Sequence, residues 1–177
     1  MKYFKILLLF ILLGTYTIKA NNDGLNTHAF IVNRGQLADN KGYAHPEILF
    51  YSQIPGAIIY FKTNSIEYHF FSFKDKTEDE LTEDQKREWA QGNKGSVLPK
   101  MYKYRVDLEF LNTLKNATVI PSKATEVKRN FYLAHCPDGI MYVNEYQEII
   151  YKNIYKNIDL KFYFEKGYLK YDFIVQP

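Results

Sequence analysis

Apolar and polar residues alternate along most of this chain with the two-residue period of a β-strand. In residues 104–110, Val106, Leu108 and Phe110 fall on one face and Arg105, Asp107 and Glu109 on the other, which predicts a strand with one wet side. Residues 159–165 repeat the device, with Ile158, Leu160, Phe162 and Phe164 directed inward. Lys166-Gly167 then turns the chain into residues 168–175, where Leu169, Tyr171, Phe173 and Val175 share a side, so this pair reads as a hairpin. Another hairpin is expected where the β-branched and aromatic runs Ile58-Ile59-Tyr60-Phe61 and Ile66-Glu67-Tyr68-His69-Phe70-Phe71 flank Lys62-Thr63-Asn64-Ser65.

One segment departs from the strand period. Residues 77–92 are crowded with acidic and basic side chains and read as a charged helix over residues 79–91. Thr82 and Gln85 have the spacing of a capping box, and Gly92 stands where the helix should close. Leu81, Trp89 and Ala90 are its few apolar residues, so it is expected to decorate the sheet, with Trp89 partly exposed. A short repeat, Tyr151-Lys152-Asn153-Ile154 followed by Tyr155-Lys156-Asn157-Ile158, is too small for a solenoid unit and reads as a turn leading into a strand. These elements predict an all-β fold, an antiparallel β-sandwich with one inserted charged helix.

The amino terminus adds a location. Lys2 and Lys5 precede the apolar run from Ile6 to Leu13, and Ala20 follows Ile18-Lys19, the pattern of a signal peptide over residues 1–20 with the mature chain beginning at Asn21. The run is too short for a membrane span, so no span is expected in the mature chain. Residues 21–177 would then form the β-sandwich domain, secreted to the bacterial cell surface or the periplasm. The chain has 177 residues, 46% hydrophobic and 17% aromatic, enough apolar material for a globular core. Its formal charge of +3 resides in Lys2, Lys5 and Lys19, so the mature chain is balanced and has no electrostatic case for nucleic acid. Cys136 is the single cysteine, and stability must come from the core rather than from an internal disulfide.

Several phrases resemble a family. Phe30-Ile31-Val32-Asn33-Arg34-Gly35-Gln36, Ile48-Leu49-Phe50-Tyr51, Tyr155-Lys156-Asn157-Ile158-Asp159-Leu160-Lys161-Phe162-Tyr163 and Leu169-Lys170-Tyr171-Asp172-Phe173-Ile174-Val175 are similar to the N-terminal β-rich domain of large Bacteroidota surface proteins. That family opens with F-x-x-N-x-G-Q and carries Y-x-x-I-D-L-x-F-Y and L-x-Y-D-F-x-V-x-P; the match spans residues 30–177. Its members continue into beta-propeller-like (SBBP) or immunoglobulin-like repeats and end in a gliding-motility or type IX secretion sorting domain. The resemblance implies that this chain stops inside the domain or just after its first half, and that residues 74–100 are longer than the usual connection. It implies downstream repeats or other cell-surface proteins as partners, and no known activity.

Candidate chemistry is sparse. His28, His45, His69 and His135 are widely spaced, without the short-spaced ligand pair of a zinc site, so neither metal nor cofactor is expected. His135 and Cys136 are adjacent and on an extended chain point to opposite faces, and Cys136-Pro137-Asp138-Gly139 reads as the start of a turn. Asp107 and Glu109 share a strand face with Arg105, which favours a charge-balanced surface over an acid/base pair. Asp159 and Asp172 would anchor turns or accept backbone hydrogen bonds. Asn116-Ala117-Thr118 has the form of a glycosylation sequon and carries little weight in a bacterial protein. The sixteen tyrosines and thirteen phenylalanines exceed what one core needs, and Tyr142, Tyr146, Tyr151 and Tyr155 form the densest run, a candidate aromatic surface for glycans. No catalytic residue is assigned. The sequence therefore predicts an exported, non-catalytic structural or adhesive module, with a carbohydrate-binding module and then a secreted hydrolase fragment as the alternatives.

Overall fold

The computed structural model describes residues 27–93, 95 and 97–177. The expected signal peptide and its cleavage after Ala20 lie outside the described residues. The strands are β1 (Thr27–Val32), β2 (Phe50–Ile54), β3 (Ala57–Phe61), β4 (Ser65–Lys74), β5 (Lys100–Glu109), β6 (Thr118–Leu133), β7 (Cys136–Tyr155), β8 (Ile158–Glu165) and β9 (Tyr168–Val175). Helix α1 (Glu83–Ala90) lies between β4 and β5, preceded by a 3-10 turn, Glu78–Glu80. All strand pairings are antiparallel, and they join into one sheet of order β5-β4-β3-β2-β1-β7-β8-β9, with β6 paired to β7 off that path.

The all-β prediction and the inserted helix are what the molecule has. Its two layers, however, are the limbs of one sheet curled into a half-barrel. The long strand β7 is the hinge. One of its edges carries β6, while the opposite edge is shared by β1, which meets it at Glu145 and Tyr146, and β8, which pairs from Glu148 onward. The limb β1–β5 and the limb β8–β9 thus leave the same side of β7 and face each other. Phe30, Phe50, Ile59, Phe61 and Ile66 of the first limb pack against Ile149, Tyr151 and Ile154 of β7 and Leu160 and Phe162 of the second limb. Phe61 and Phe162 meet with ring centroids 5.7 Å apart.

Local chemistry explains the bends. The Tyr-Lys-Asn-Ile repeat places Asn153 and Asn157 at φ of 51° and 57°, the left-handed region that asparagine tolerates better than most residues. Asn153 lies in a bulge of β7 where the register with β8 shifts between Tyr151 and Tyr155, and Asn157 makes the β7–β8 turn. Bulges increase strand twist and bend the sheet. The β8–β9 hairpin turns at Lys166 and Gly167, both at positive φ, as the sequence predicted. Helix α1 begins with the Thr82–Gln85 capping box and closes with the Gly92 amide on the Trp89 carbonyl and the Asn93 amide on the Glu88 carbonyl. Trp89 is half-buried. Among the described residues no helix is long and apolar enough to cross a membrane.

Two expectations change. The dry sides that the alternation assigns to β5 and β9 are not closed off, since Val106, Leu108, Tyr171 and Phe173 are 53%, 46%, 62% and 55% exposed. Both strands end the sheet, so no further strand covers the groove between them. Residues 136–139 do not begin the turn either: the β6–β7 hairpin turns at Ala134-His135, and Gly139 (φ 78°) serves a register shift inside the hairpin.

Candidate functional site

The first family phrase builds a loop rather than a reaction centre. Asn33, just after β1, donates from Nδ2 to the carbonyls of His45 (2.8 Å) and Ile48 (2.9 Å), while its Oδ1 accepts from the amides of Gly35 (3.1 Å) and Leu37 (3.4 Å). Gln36, buried, accepts from the Arg34 amide and donates to the Val32 carbonyl, each at 2.7 Å. Gly35 takes φ 104°, where a side chain would be strained. These bonds satisfy polar groups that burial would otherwise penalise, and they hold residues 33–49 against the outer face of the sheet.

Between that loop and strands β3 to β5 lies a cleft of about 250 Å³, where His45, Glu47, Lys62, Glu67, His69 and Arg105 converge. Glu67 is its centre, with its side chain 9% exposed. Lys62 Nζ contacts its carboxylate, Arg105 Nη2 donates to it at 3.0 Å, and His69 Nε2 stands 3.4 Å away. Asp107 lies directly opposite Glu67 across the β4–β5 ladder, and Arg105 Nε, 2.7 Å from Asp107, ties the two carboxylates together. That hydrogen bond from Arg105 holds the Asp107 carboxyl below its usual range. Glu47 is likewise held low, first by its own backbone amide and then by His45, 3.0 Å away. Burial pushes the Tyr60 phenol up, assisted by the negative charge of Glu67, and Tyr60 meets His69 edge-on at 4.9 Å.

Chemically, this is a set of ion pairs with each carboxylate beside a cation. No serine, threonine or cysteine lines the cleft, and its one side-chain hydroxyl is the Tyr60 phenol. Among the described residues no group of three or more histidine, cysteine or acidic side chains could hold a metal. No spacing along the chain announces that His45 and His69 line one cleft, because β2 and β3 intervene; the alternation placing Glu67, His69, Arg105 and Asp107 on one face of β4 and β5 could have suggested part of it.

The other candidates scatter. Tyr142 sits on a bulge of β7 with φ 56° and is 69% exposed. Tyr146 is half-buried, edge-on to Phe50. Tyr151 is fully buried, donates its hydroxyl to the Lys62 carbonyl at 2.8 Å, and has its pKa raised by burial. Tyr155 packs against the core. The four therefore do not form one platform. His28 lies beside Phe164, 5.6 Å between centroids, and His135 Nε2 approaches the Gly35 carbonyl at 3.0 Å. Cys136 is a free, half-buried thiol.

Asp159 is buried, accepts from Lys152 Nζ (2.5 Å) and from the Asn153 amide (2.8 Å), and is held below its usual pKa by these bonds, with Lys152 the larger contributor. It thereby fastens the β7 bulge. Asp172 lies on the surface, 3.3 Å from both Lys161 Nζ and the Tyr163 hydroxyl. A domain of unknown function, DUF7948, matches residues 30–177. No curated protein and no solved structure matches the chain.

Proposed function

Because the chain belongs to the DUF7948 family, described only as a domain of unknown function, we propose that it is an exported, non-catalytic structural or adhesive module of a bacterial cell-surface protein. The observation that carries this reading is where the apolar surface lies. Tyr104, Val106 and Leu108 at one end of the sheet, and Tyr171, Phe173 and Val175 at the other, are exposed on long strands, whereas the polar cleft spends its carboxylates on ion pairs. Exposed apolar residues in contiguous strands are the mark of contact surfaces. The leader-like residues 1–20 support export, and the phrases shared with Bacteroidota surface proteins support a place ahead of SBBP or similar repeats and a type IX sorting domain. Its partners would then be those repeats or other surface proteins.

Surface proteolysis of intact cells, with fractionation, tests this reading. Release of the domain from the outside of the cell is the expected result; recovery from the cytoplasm, with Met1 retained, overturns it. A second reading, glycan binding, has one observation in its favour: an apolar groove of about 220 Å³ between the limbs, bordered by the exposed rings of Tyr171 and Phe173. A glycan array on which binding is lost with Tyr171→Ala would move the assignment there.

A further inference from the structure

Among the described residues β4 is the only neighbour of strand β5 in the sheet, which leaves the outer edge of β5 without a partner strand. All of its residues are exposed, and its ten-residue register with β4 runs from Lys74↔Lys100 to Ser65↔Glu109 without a bulge. No proline interrupts it. Protein edges are ordinarily blunted by bulges, prolines or scattered charges, because a long regular edge is a template for another strand. β5 carries charges, but their order suits one particular partner. Along its outer face run Lys103, Arg105, Asp107 and Glu109, basic then acidic; along the face toward the core run Tyr102, Tyr104, Val106 and Leu108, with Phe110 just beyond.

This order is self-complementary in the antiparallel sense. From it we infer that β5 pairs with β5 of a second copy of this chain, about a two-fold axis through Val106, making one continuous sheet from two half-barrels. In that register Lys103 meets the partner's Glu109 and Arg105 meets the partner's Asp107, and the symmetry repeats both contacts. On the other face Tyr104 meets the partner's Leu108, Tyr102 the partner's Phe110, and Val106 its own counterpart. Directly opposed side chains of unlike charge, and aromatic against aliphatic pairs, are the stabilising contacts of an antiparallel ladder. A two-fold contact of this kind is closed, so assembly stops at the dimer.

The other free edge is a poorer match. A β9 pairing about Tyr171 would oppose only Lys170 to the partner's Asp172, and symmetry repeats that contact once, whereas the β5 register opposes two different charge pairs and repeats both. Pairing β5 with β9 would match Arg105 to the partner's Asp172 and Asp107 to the partner's Lys170, but sets Lys103 against the partner's Ile174. It is also head-to-tail, which continues into filaments unless the rotation closes. The β5 pairing leaves no charge on its face unmatched. The inference stands on the order of residues in one strand and holds whether or not the module is exported.

Sedimentation velocity of the purified chain across a range of concentrations provides the test. A reversible monomer–dimer equilibrium is expected. Lys103→Glu sets like charges together at two symmetry-related places and should weaken the dimer about tenfold or more; Glu109→Lys should do the same. The double variant Lys103→Glu, Glu109→Lys restores the pairs in reversed sense and should recover dimerisation. Both positions are exposed, so thermal melts of the variants at low concentration should stay near wild type and separate association from folding. A chain that remains monomeric, a dimer indifferent to these substitutions, or an open ladder of larger species overturns the inference.

Discussion

Strands β8 and β9 are neighbours in one hairpin and carry the same alternation of apolar and polar residues, yet their apolar faces meet different fates. Leu160 and Phe162 on β8 are each 2% exposed, while Tyr171 and Phe173, their register neighbours on β9, are more than half exposed. The difference is what lies opposite. β8 has Phe61 packed against it from the facing limb and Tyr151 of β7 at its side, whereas β9 borders the open groove toward β5. The same contrast separates β3 from β5. An alternating pattern therefore says which side of a strand is apolar; burial depends on how many strands stand between it and the edge.

Paired substitutions on the hairpin put the largest expected effect on this contrast. Phe162→Ala removes a ring that touches Phe61, Tyr151 and Tyr171, and should cost about 3–5 kcal/mol through lost burial and a cavity. Phe173→Ala, on the open side, should cost under about 1 kcal/mol. Urea denaturation of the two variants beside wild type measures both. Equal losses would mean that β9 is covered in solution.

Asp159 tests the middle of the sheet from its polar side. Asp159→Asn keeps the shape but loses the charge that Lys152 and the Asn153 amide address, so a loss of about 1–2 kcal/mol is expected at neutral pH. The pKa of Asp159 is lowered in the folded protein, so its contribution is complete above the unfolded carboxyl pKa of about 4 and is lost as pH falls through that value and below. Thermal melts between pH 7 and pH 3 should accordingly show a shallower acid decline in the variant than in wild type. Parallel curves would remove Asp159 from the acid response.

Smaller effects follow at the bends and the rim. Asn153→Ala, at φ 51°, should cost about 1 kcal/mol because alanine resists the left-handed region, while Asn153→Gly should be tolerated. Replacing residues 75–99 by a two-residue Asn-Gly turn joins Lys74 to Lys100, which already face each other across the ladder. Far-ultraviolet circular dichroism should keep its strand signal, with the melting temperature within a few degrees of wild type, about what a change under 1 kcal/mol produces. Collapse of the fold on that deletion would show that the charged insertion belongs to the core.

Local features were readable in the chain itself. The two-residue period announced the β4–β5 and β8–β9 strands, Lys166-Gly167 announced its turn, and Thr82, Gln85 and Gly92 bounded the helix, because these features depend on residues close together in sequence. The roles of Asn33, Gly35 and Gln36 were legible only as a phrase; that they tie a loop down through backbone bonds required coordinates. The cleft around Glu67 was not legible as a whole, since His45, Lys62, His69 and Arg105 come from two loops and two strands, and no spacing along the chain records their meeting. Tyr142 and Tyr151 show the same limit in reverse: near in sequence, one stands exposed on a bulge of β7 and the other is buried in the core. Only the tertiary structure decided that the two layers are one sheet bent at β7, and therefore which apolar faces close on each other and which remain open at the rim. Periodicity is set by the backbone of each strand, but curvature and closure arise from pairings between residues far apart, whose free energies no single segment contains.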